Sequence, residues 1–469
     1  MRFRLFFLLW ICHLSGCAYY GDIHGHSTRF TPAILDTPHV YVPPHLPITN
    51  EWWEGFHDPQ LNQLITIALA DSPTMQIAKN RVRRAEYLVE SKMVPLIPTL
   101  DFSGYVQRQR FSATGLIPPP FNGRTFGVGD VALNFNYEFD FWGKNWQALS
   151  SQISTRCALQ ADLAEARLVL SAAVANAYFQ LLNNIEQANF AKENWRDNQQ
   201  LANIILDRAK NGIESDIPVK TAITDMQASL LAYEQFNQAI TLSKDQLAVL
   251  LGKNPFSTFF ITRHFNYQQH KITLPPCLTL NILAHRPDIY AAKLRAEAAA
   301  KQICVAKARF FPNINLNALL SLQSIELNHL FDAANQNNAI TGAIDLPIFD
   351  AGLRRANLGV SYAEYDEAVN QYNQTILTAL RDVADQQATF KSFSIQLNAE
   401  NAAVNATANN YKLFRSRYNH GIIDYVQLLE IKQVLLQQQA LQTNLQAHTL
   451  QAAIGLLKAL GGCDIRQGR

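Results

Sequence analysis

The clearest indication of the fold is the stretch "GDVALNFNYEFDFWG", residues 129–143. From Val131 to Phe141 every odd position is apolar or aromatic, while the even positions between them are small or polar. Alternation with a period of two is typical of a β-strand with one apolar and one polar face. Residues 144–210, which follow, contain neither Pro nor Gly and predict a helix. The sequence therefore joins a long amphipathic strand to a very long helix.

The same landmarks occur twice along the chain. Three glycines recur at an offset of 209 residues, in the pairs Gly143 and Gly352, Gly212 and Gly421, and Gly252 and Gly461. Upstream, Pro73 pairs with Pro287 and Pro98 with Pro312 at an offset of 214. Matched landmarks at a fixed period indicate a tandem duplication of about 200 residues. The change of offset falls between Pro98 and Gly143, where a loop of the first copy can absorb it.

The duplication divides the chain into segments. We expect a signal peptide over 1–16, an extension over 17–50, a first repeat over 51–252, a connector over 253–280, a second repeat over 281–461 and a tail over 462–469. Each repeat is predicted to hold one β-hairpin, over about 99–141 and 313–349. The alternating pattern of the second hairpin continues through Leu346 and Ile348.

Long helices surround each hairpin. Helices of about 25 residues are expected before the hairpins, over 72–95 and 286–309, and long ones after them, over 144–211 and 353–420. A helix of 68 residues spans about 100 Å, while the hydrocarbon of a bilayer is about 30 Å thick. These helices must therefore extend well outside any membrane that the strands enter.

Each long helix is predicted to end in a sharp turn. Gly212 and Gly421 are suited to the left-handed position that follows a helix. Asp216 and Asp424 are expected to be N-caps of new helices, each returning for about 35 residues. The two turns should therefore lie at the far ends of two helical hairpins.

Composition excludes several classes of function. Lys and Arg number 40 and Asp and Glu 38, so no basic surface for nucleic acid is expected. Only 17% of the residues are charged. This favours helices that pack mainly on other helices. The six cysteines form no C-x-x-C pair and fit neither a zinc site nor a dense disulfide framework. No metal or cofactor is expected.

The N-terminus, "MRFRLFFLLWICHLSGC", has two arginines, an apolar run and then small residues. This order is typical of a secretory signal. Its end, Leu14-Ser15-Gly16-Cys17, resembles a bacterial lipobox, which predicts that Cys17 becomes the lipid-modified first residue; the alternative is an ordinary signal with a chance cysteine. The residue after this cysteine is Ala18 and not Asp, which in bacterial lipoproteins favours sorting to the outer membrane. Beyond the leader no run approaches 18 apolar residues, so no transmembrane helix is predicted.

Four strands cannot close a barrel. An open sheet edge in lipid leaves backbone N–H and C=O groups without partners. Other copies of the chain must therefore complete the sheet, and three copies would supply twelve strands, enough to close around a lumen.

Several motifs together resemble the TolC-like outer-membrane efflux proteins, in particular the lipoprotein branch that includes OprM and NodT. The most specific is Trp52-Trp53-x-x-Phe56-x-Asp58-Pro59-x-Leu61, and the joint Phe141-Trp142-Gly143-Lys144 and the turn Tyr418-x-x-Gly421 also match. The resemblance covers nearly the whole mature chain. It implies a mixed α and β fold, in which a trimeric 12-stranded transmembrane barrel continues as a long periplasmic α-helical barrel. It also implies an outer-membrane exit duct that docks on a periplasmic adaptor and an inner-membrane transporter.

The resemblance also implies functional residues. The family narrows the periplasmic end with carboxylates six and nine residues after the glycine of the second turn, which are Gln427 and Glu430 here. Only Glu430 keeps the charge, so one ring of three carboxylates is expected instead of two. Read without the family, Glu430 is a solvated glutamate on a helix face. Arg208, Arg417 and Tyr418 flank the turns, where such residues hold the tip shut and meet the adaptor, or simply stabilise helix ends.

Two other classes of function compete with an exit duct. An enzyme is not expected: "GVGDVA" at 127–132 fits a dinucleotide-binding pattern, but it runs into a strand instead of leading from strand to helix. A structural envelope lipoprotein would need no membrane hairpins. Type I protein secretion remains an alternative within the same fold, and the sequence does not identify the transported solute.

Overall fold

The computed structural model describes residues 23–30, 51–256 and 286–462. The predicted signal, Cys17, most of the connector and the tail from Cys463 lie outside the described residues. The chain divides into two compact units. Among the described residues, the first unit holds 23–30, 81–160 and 291–373, and the second holds 51–80, 161–256, 286–290 and 374–462.

The described elements follow the duplication closely. The first repeat holds α1 (Pro59–Asp71), α2 (Pro73–Met93), β1 (Thr99–Arg110), β2 (Thr125–Phe139), α3 (Lys144–Lys210) and α4 (Asp216–Leu250). The second repeat holds α5 (Pro287–Ala308), β3 (Asn313–Ser324), β4 (Gln336–Asp345), α6 (Leu353–Asn419) and α7 (Tyr425–Ala459). Both long helices have 67 residues, and both returning helices have 35.

The four strands form a single antiparallel sheet in the first unit. Its order is β1-β2-β3-β4, so the two hairpins are joined by pairing between β2 and β3. Four short 3-10 helices, Trp52–Phe56, Val94–Leu96, Leu327–His329 and Ala333–Asn335, complete the described elements. The predicted hairpins are confirmed, and β1 and β4 are the two edges of this sheet.

Two strands end earlier than the alternation predicts. β2 stops at Phe139, because Asp140 leaves the strand and its carboxylate accepts the backbone N–H groups of Asn145 and Trp146 at 3.0 and 2.7 Å, at the start of α3. Phe141 thus lies beyond the strand. β4 stops at Asp345, so Leu346 and Ile348 lie outside it. Pro347 has no N–H to donate to a further ladder bond.

The core of the second unit explains the tryptophan motif of the first repeat. Trp52, Trp53 and Phe56 are buried against α3, and Nε1 of Trp52 donates to Oγ of Ser171 at 3.0 Å. The motif therefore acts mainly in packing: its aromatic rings hold the start of α1 against the long helix α3.

A polar seam holds α3 to α7 in the second unit. Side-chain amides pair across it: Gln180 with Gln451 at 2.9 Å and Asn183 with Asn444 at 3.1 Å. Nε2 of Gln187 donates to the carbonyl of Ala440 at 2.7 Å. The low charge and high amide content of the chain are thus explained by helices that bind one another through amides.

One described helix has a segment apolar enough to cross a membrane. It lies within α3, but 72% of that segment is buried inside the protein. A packed core helix passes the same test of composition, so this segment is weak evidence for a span.

Candidate functional site: the strand sheet and two helical turns

One face of the sheet is mainly apolar on all four strands, although on β4 Asn338 and Gln336 lie opposite Leu320 and Leu322. Residues paired directly across strands share a face, and the register pairs Leu100 with Phe135, Phe135 with Ala318, and Ala318 with Ile340. The odd positions of β2 thus meet the apolar positions of each neighbouring strand. The result is one apolar surface suited to contact with lipid.

The opposite face of the sheet is polar. It is lined mainly by hydroxyl, amide and carboxyl side chains, at Asp101, Ser103, Asp130, Asn134, Asn136, Glu138, Asn315, Asn317, Ser321, Asn337 and Thr341. Nδ2 of Asn134 donates to Oγ of Ser103 at 2.9 Å across β1 and β2. A sheet with one apolar and one polar face can separate lipid from a water-filled lumen.

Aromatic residues mark the joint between the strands and the helices. The ring of Trp142 stacks on Phe311 with centroids 4.6 Å apart, and its Nε1 donates to the carbonyl of Pro312 at 2.8 Å. Tyr137, Phe139 and Phe141 form a further chain of ring contacts. Aromatic side chains concentrate where a barrel meets the membrane surface, so this joint fits one rim of the apolar band.

The two helical turns have the same backbone geometry. Gly212 and Gly421 adopt φ of 73° and 70°, as predicted. In the first turn the N–H of Ile213 donates to the carbonyl of Arg208 and that of Gly212 to Ala209, each at 2.9 Å. In the second, Ile422 and Gly421 donate in the same way to Arg417 and Tyr418, each at 2.9 Å. Both turns are therefore Schellman motifs, in which a side chain at glycine would be strained.

The helix starts that follow the turns differ. Asp424 caps α7 as predicted, since its Oδ1 accepts from the N–H of Gln427 at 2.9 Å. The prediction for Asp216 is wrong: the N-cap of α4 is Ser215, whose side chain makes no capping bond, and Asp216 is the first helical residue. The offset of 209 aligns Asp424 with Ser215, so the capping carboxylate exists in one copy only.

The side chains around the turns are partly exposed. Nε of Arg208 lies 3.7 Å from a carboxylate oxygen of Glu214. The rings of Tyr418 and Tyr425 lie 5.5 Å apart, so Tyr418 braces the start of α7. Ile213 and Ile422 are 67% and 62% exposed in the single chain. Each turn therefore presents an isoleucine beside an arginine-bearing helix end.

The predicted gate residues lie in the first two turns of α7. Gln427 and Glu430 are exposed, whereas Leu428 and Leu429 between them are buried. Among the described residues no hydrogen bond or ion pair involves the Glu430 carboxylate. The structure therefore leaves this carboxylate available to ions, as a selectivity residue requires.

The sequence did not point to Lys432, two residues further along α7. Its Nζ lies 2.8 Å from Asp197 and 3.0 Å from Glu193, both on α3. Burial lowers the pKa of the Lys432 ammonium, but its hydrogen bonds to Asp197 and Glu193 outweigh burial and raise that pKa above the ordinary value. No local pattern could reveal this bridge, since its partners are 235 residues apart.

The cysteines inside the described part of the chain are unpaired. Cys157 is half-buried and Cys304 exposed, and both are free. No group of three metal-binding side chains occurs among the described residues.

Comparison with known proteins gives a consistent picture. Residues 64–253 and 278–462 match the family described as outer membrane efflux protein. The chain is 30% identical to the putative multidrug resistance outer membrane protein MdtQ of Escherichia coli K12, over 96% of this chain and 95% of that protein. It is 28% identical to the probable efflux pump outer membrane protein TtgC of Pseudomonas putida, over 88% and 84% of the two chains.

A solved structure shares this fold. The outer membrane protein VceC of Vibrio cholerae is 30% identical and superposes with a TM-score of 0.76, covering 88% of this chain and 99% of that one. The predicted fold class, a trimer whose 12-stranded barrel continues as a helical barrel, is confirmed by these relationships. The chain therefore belongs to the outer membrane efflux protein family, and it is the outer-membrane exit duct of a tripartite efflux system.

Proposed function

We propose that this duct passively conducts small organic solutes, drugs among them, from an inner-membrane transporter and a periplasmic adaptor to the outside, with no catalytic step. The observation that carries the proposal is the two-faced sheet, whose register keeps one face mainly apolar and the other mainly polar across four strands. Similarity to a multidrug resistance protein and an efflux pump protein favours small solutes over secreted proteins.

The two helical turns are the docking surface that we assign to the adaptor. Arg208, Arg417 and Tyr418 lie at the helix ends beside Gly212 and Gly421, and an exposed isoleucine follows each glycine. Exposed apolar side chains next to cations suit a partner that offers an apolar contact with an acidic rim. The Schellman geometry holds both tips in a fixed shape, which lowers the entropic cost of docking.

The gate of the duct is assigned to Glu430. In a trimer, three such carboxylates near the periplasmic end would attract cations and resist anions. The neutral Gln427, one turn earlier, leaves a single acidic ring. Asp424 fixes the start of α7 and so the position of both side chains.

Planar-bilayer recordings test the duct and its gate together. A conducting trimer excludes a purely structural envelope lipoprotein. Because Glu430 would supply the local negative charge, Glu430→Gln should reduce cation selectivity and Glu430→Lys should shift it toward anions. Gln427→Glu should add a ring and increase cation selectivity. Recordings at low salt keep screening weak.

Glu234→Gln on α4 is the matched control, because it removes an exposed carboxylate elsewhere on a helix. Reversal potentials that stay at the wild-type value in all three gate variants would place the constriction elsewhere. Such a result would leave the conducting duct itself intact.

Lipid anchoring at Cys17 is the remaining part of the proposal. It is supported by the segment 23–30, which lies on α6: the carboxylate of Asp366 accepts the N–H groups of His26 and Ser27 at 2.9 Å each. Ile23 packs beside Phe310 and Leu358, close in sequence to β3 and to the start of α6. Anchoring of the chain a few residues before Ile23 would suit this joint, where an acyl chain can enter the membrane.

A further inference from the structure

A cavity of about 640 Å³ lies in the second unit, away from the two turns. It is lined by residues of α3, α4, α6 and α7 and by Arg286, which precedes α5. Its charged lining consists of Glu165, Arg286, Asp382 and Lys458, and most of the other polar lining residues carry amides. None of these side chains has a part in the gate or in the docking surface.

Divergence of the two repeats opens this cavity. At the offset of 209, Ala173 of α3 corresponds to Asp382 of α6, and Ala177 corresponds to Gln386. All four residues line the cavity. The small side chains on α3 therefore leave room in front of polar ones on α6. Gly455 of α7 continues the pattern, since a Cβ there would collide with Oε1 of Gln386.

The charged side chains of the cavity differ in how many hydrogen-bond and ion-pair partners they have. Arg286 is occupied: its Nε and Nη2 bind the Asp288 carboxylate at 3.0 and 2.7 Å, and its Nη1 donates to the carbonyl of Ala459 at 3.0 Å. Asp382 lies 3.2 Å from the exposed Arg381 and 3.9 Å from Arg286. For Glu165, no hydrogen bond or ion pair occurs within the described part of the chain.

Unused acceptors follow one face of α3. Oδ1 of Asn176 is buried and has no hydrogen-bond partner. Glu165 and Asn176 are three helical turns apart, which places them on the same face and about 16 Å apart along the axis. Burial first, and then the charge of Asp288, raise the pKa of the Glu165 carboxyl. The charged form of such a carboxyl is strongly stabilised by a hydrogen bond from a cationic donor.

We propose that this cavity binds a linear aliphatic polyamine, with ammonium groups on Glu165 and Asp382 and a further amine donating to Oδ1 of Asn176. The ligand must donate, because the unsatisfied atoms are acceptors. It must be elongated, because Glu165 and Asn176, the two acceptors without hydrogen-bond partners, are three turns apart on α3. Lys458 opposes the ligand by charge repulsion and limits its affinity.

Isothermal titration calorimetry of the purified trimer tests the site, with spermidine as the probe at low ionic strength. We expect saturable binding of spermidine and none of the dianion glutarate at matched ionic strength. Glu165→Gln should weaken binding by about tenfold, because a charge-assisted hydrogen bond is lost. Lys458→Met should strengthen it several-fold, because a repulsive charge is removed. Glu364→Gln, at an exposed position on α6, should leave binding unchanged.

Three results would overturn the proposal: no saturable spermidine binding to wild type, equal affinity in Glu165→Gln, or binding of glutarate instead. If Glu165→Gln fails to assemble, Lys458→Met decides alone, since tighter binding supports the site and unchanged binding refutes it. The gate recordings do not depend on this cavity, so the two proposals fail separately.

Discussion

At the scale of single residues, the most consequential side chains are those that satisfy several groups at once. Asp58 is fully buried, and its Oδ1 accepts the N–H groups of Gln60 and Leu61 at 2.8 and 3.2 Å at the start of α1. Its Oδ2 accepts the hydroxyl of Tyr178 on α3 at 2.9 Å. One carboxylate therefore caps a helix and ties it to another helix 120 residues away.

We expect Asp58→Ala to lower the free energy of unfolding by about 2–3 kcal/mol, because a cap and a buried hydrogen bond are lost together. Tyr178→Phe should cost about 1 kcal/mol, because only the hydroxyl contact is removed. Denaturant unfolding in detergent measures both. Ser215→Ala is the control, since the Ser215 side chain makes no capping bond. A loss in Ser215→Ala equal to that in Asp58→Ala would contradict the assignment.

Cys17 is predicted to be the residue that carries the lipid. In Cys17→Ser, incorporation of a labelled fatty acid should disappear, because a thioether to the lipid can form only on the cysteine sulfur. Assembly of the trimer should survive, because the barrel itself inserts into the membrane. Metabolic labelling followed by gel fluorography reads the first outcome. Labelled protein in Cys17→Ser would disprove the lipobox.

At the scale of elements, the strands and helices follow different rules. The strands depend on register, because a shift by one residue would exchange the apolar and polar faces. The helices depend on their ends, where glycine reverses the chain at Gly212 and Gly421. Between its ends, α3 binds α7 through amide pairs as well as through apolar packing.

The two faces of β2 should respond differently to a charge. Phe135→Arg places a cation on the apolar face and should cost roughly 2–4 kcal/mol, with less trimer recovered from membranes. Asn136→Arg, the adjacent control, places the same charge on the polar face and should be tolerated better. Trimer yield on unheated gels compares them. Equal loss in both variants would show that the strand does not divide lipid from lumen.

At the scale of the whole molecule, the charge cluster in the second unit makes stability depend on pH. Glu165 lies near Asp288, Arg286, Lys458 and Asp162, and burial raises its pKa above the usual value of 4.5. A carboxyl with a raised pKa in the folded state favours folding when it is protonated. This contribution is therefore complete below pH 4.5 and is lost as the pH rises through the folded-state pKa.

Glu165→Gln should accordingly raise the thermal unfolding midpoint at neutral pH, because a half-buried charge is removed. Its advantage over wild type should shrink as the pH falls through the raised pKa of Glu165, because the wild-type carboxyl itself then becomes neutral. Thermal scans of both proteins at one heating rate give the comparison. A difference that stays constant across this range would show that Glu165 does not titrate in the folded protein.

Much of the fold was predictable because the signals are local. Alternation with a period of two marked β2, glycines at matched offsets marked the ends of the long helices, and the absence of Pro and Gly marked α3. The proposed gate position at Glu430 required the family resemblance, because an exposed glutamate on a helix carries no signal of its own. The end of β2 was not predictable in this way. The alternation continues beyond Phe139, but the strand stops there because the Asp140 carboxylate accepts N–H groups at the start of α3.

The duplication, the long helices with their glycine turns and the alternating faces of the strands could thus be predicted from the order of residues along the chain, because periodicity and repeated landmarks record them. Tertiary packing was needed to show that β2 pairs with β3, that Asp58 contacts Tyr178, that Lys432 forms an ion pair with Asp197, and that Glu165 shares a cavity with Arg286. These contacts join residues more than a hundred positions apart. They are selected by the packing of whole helices and strands, which no local pattern records.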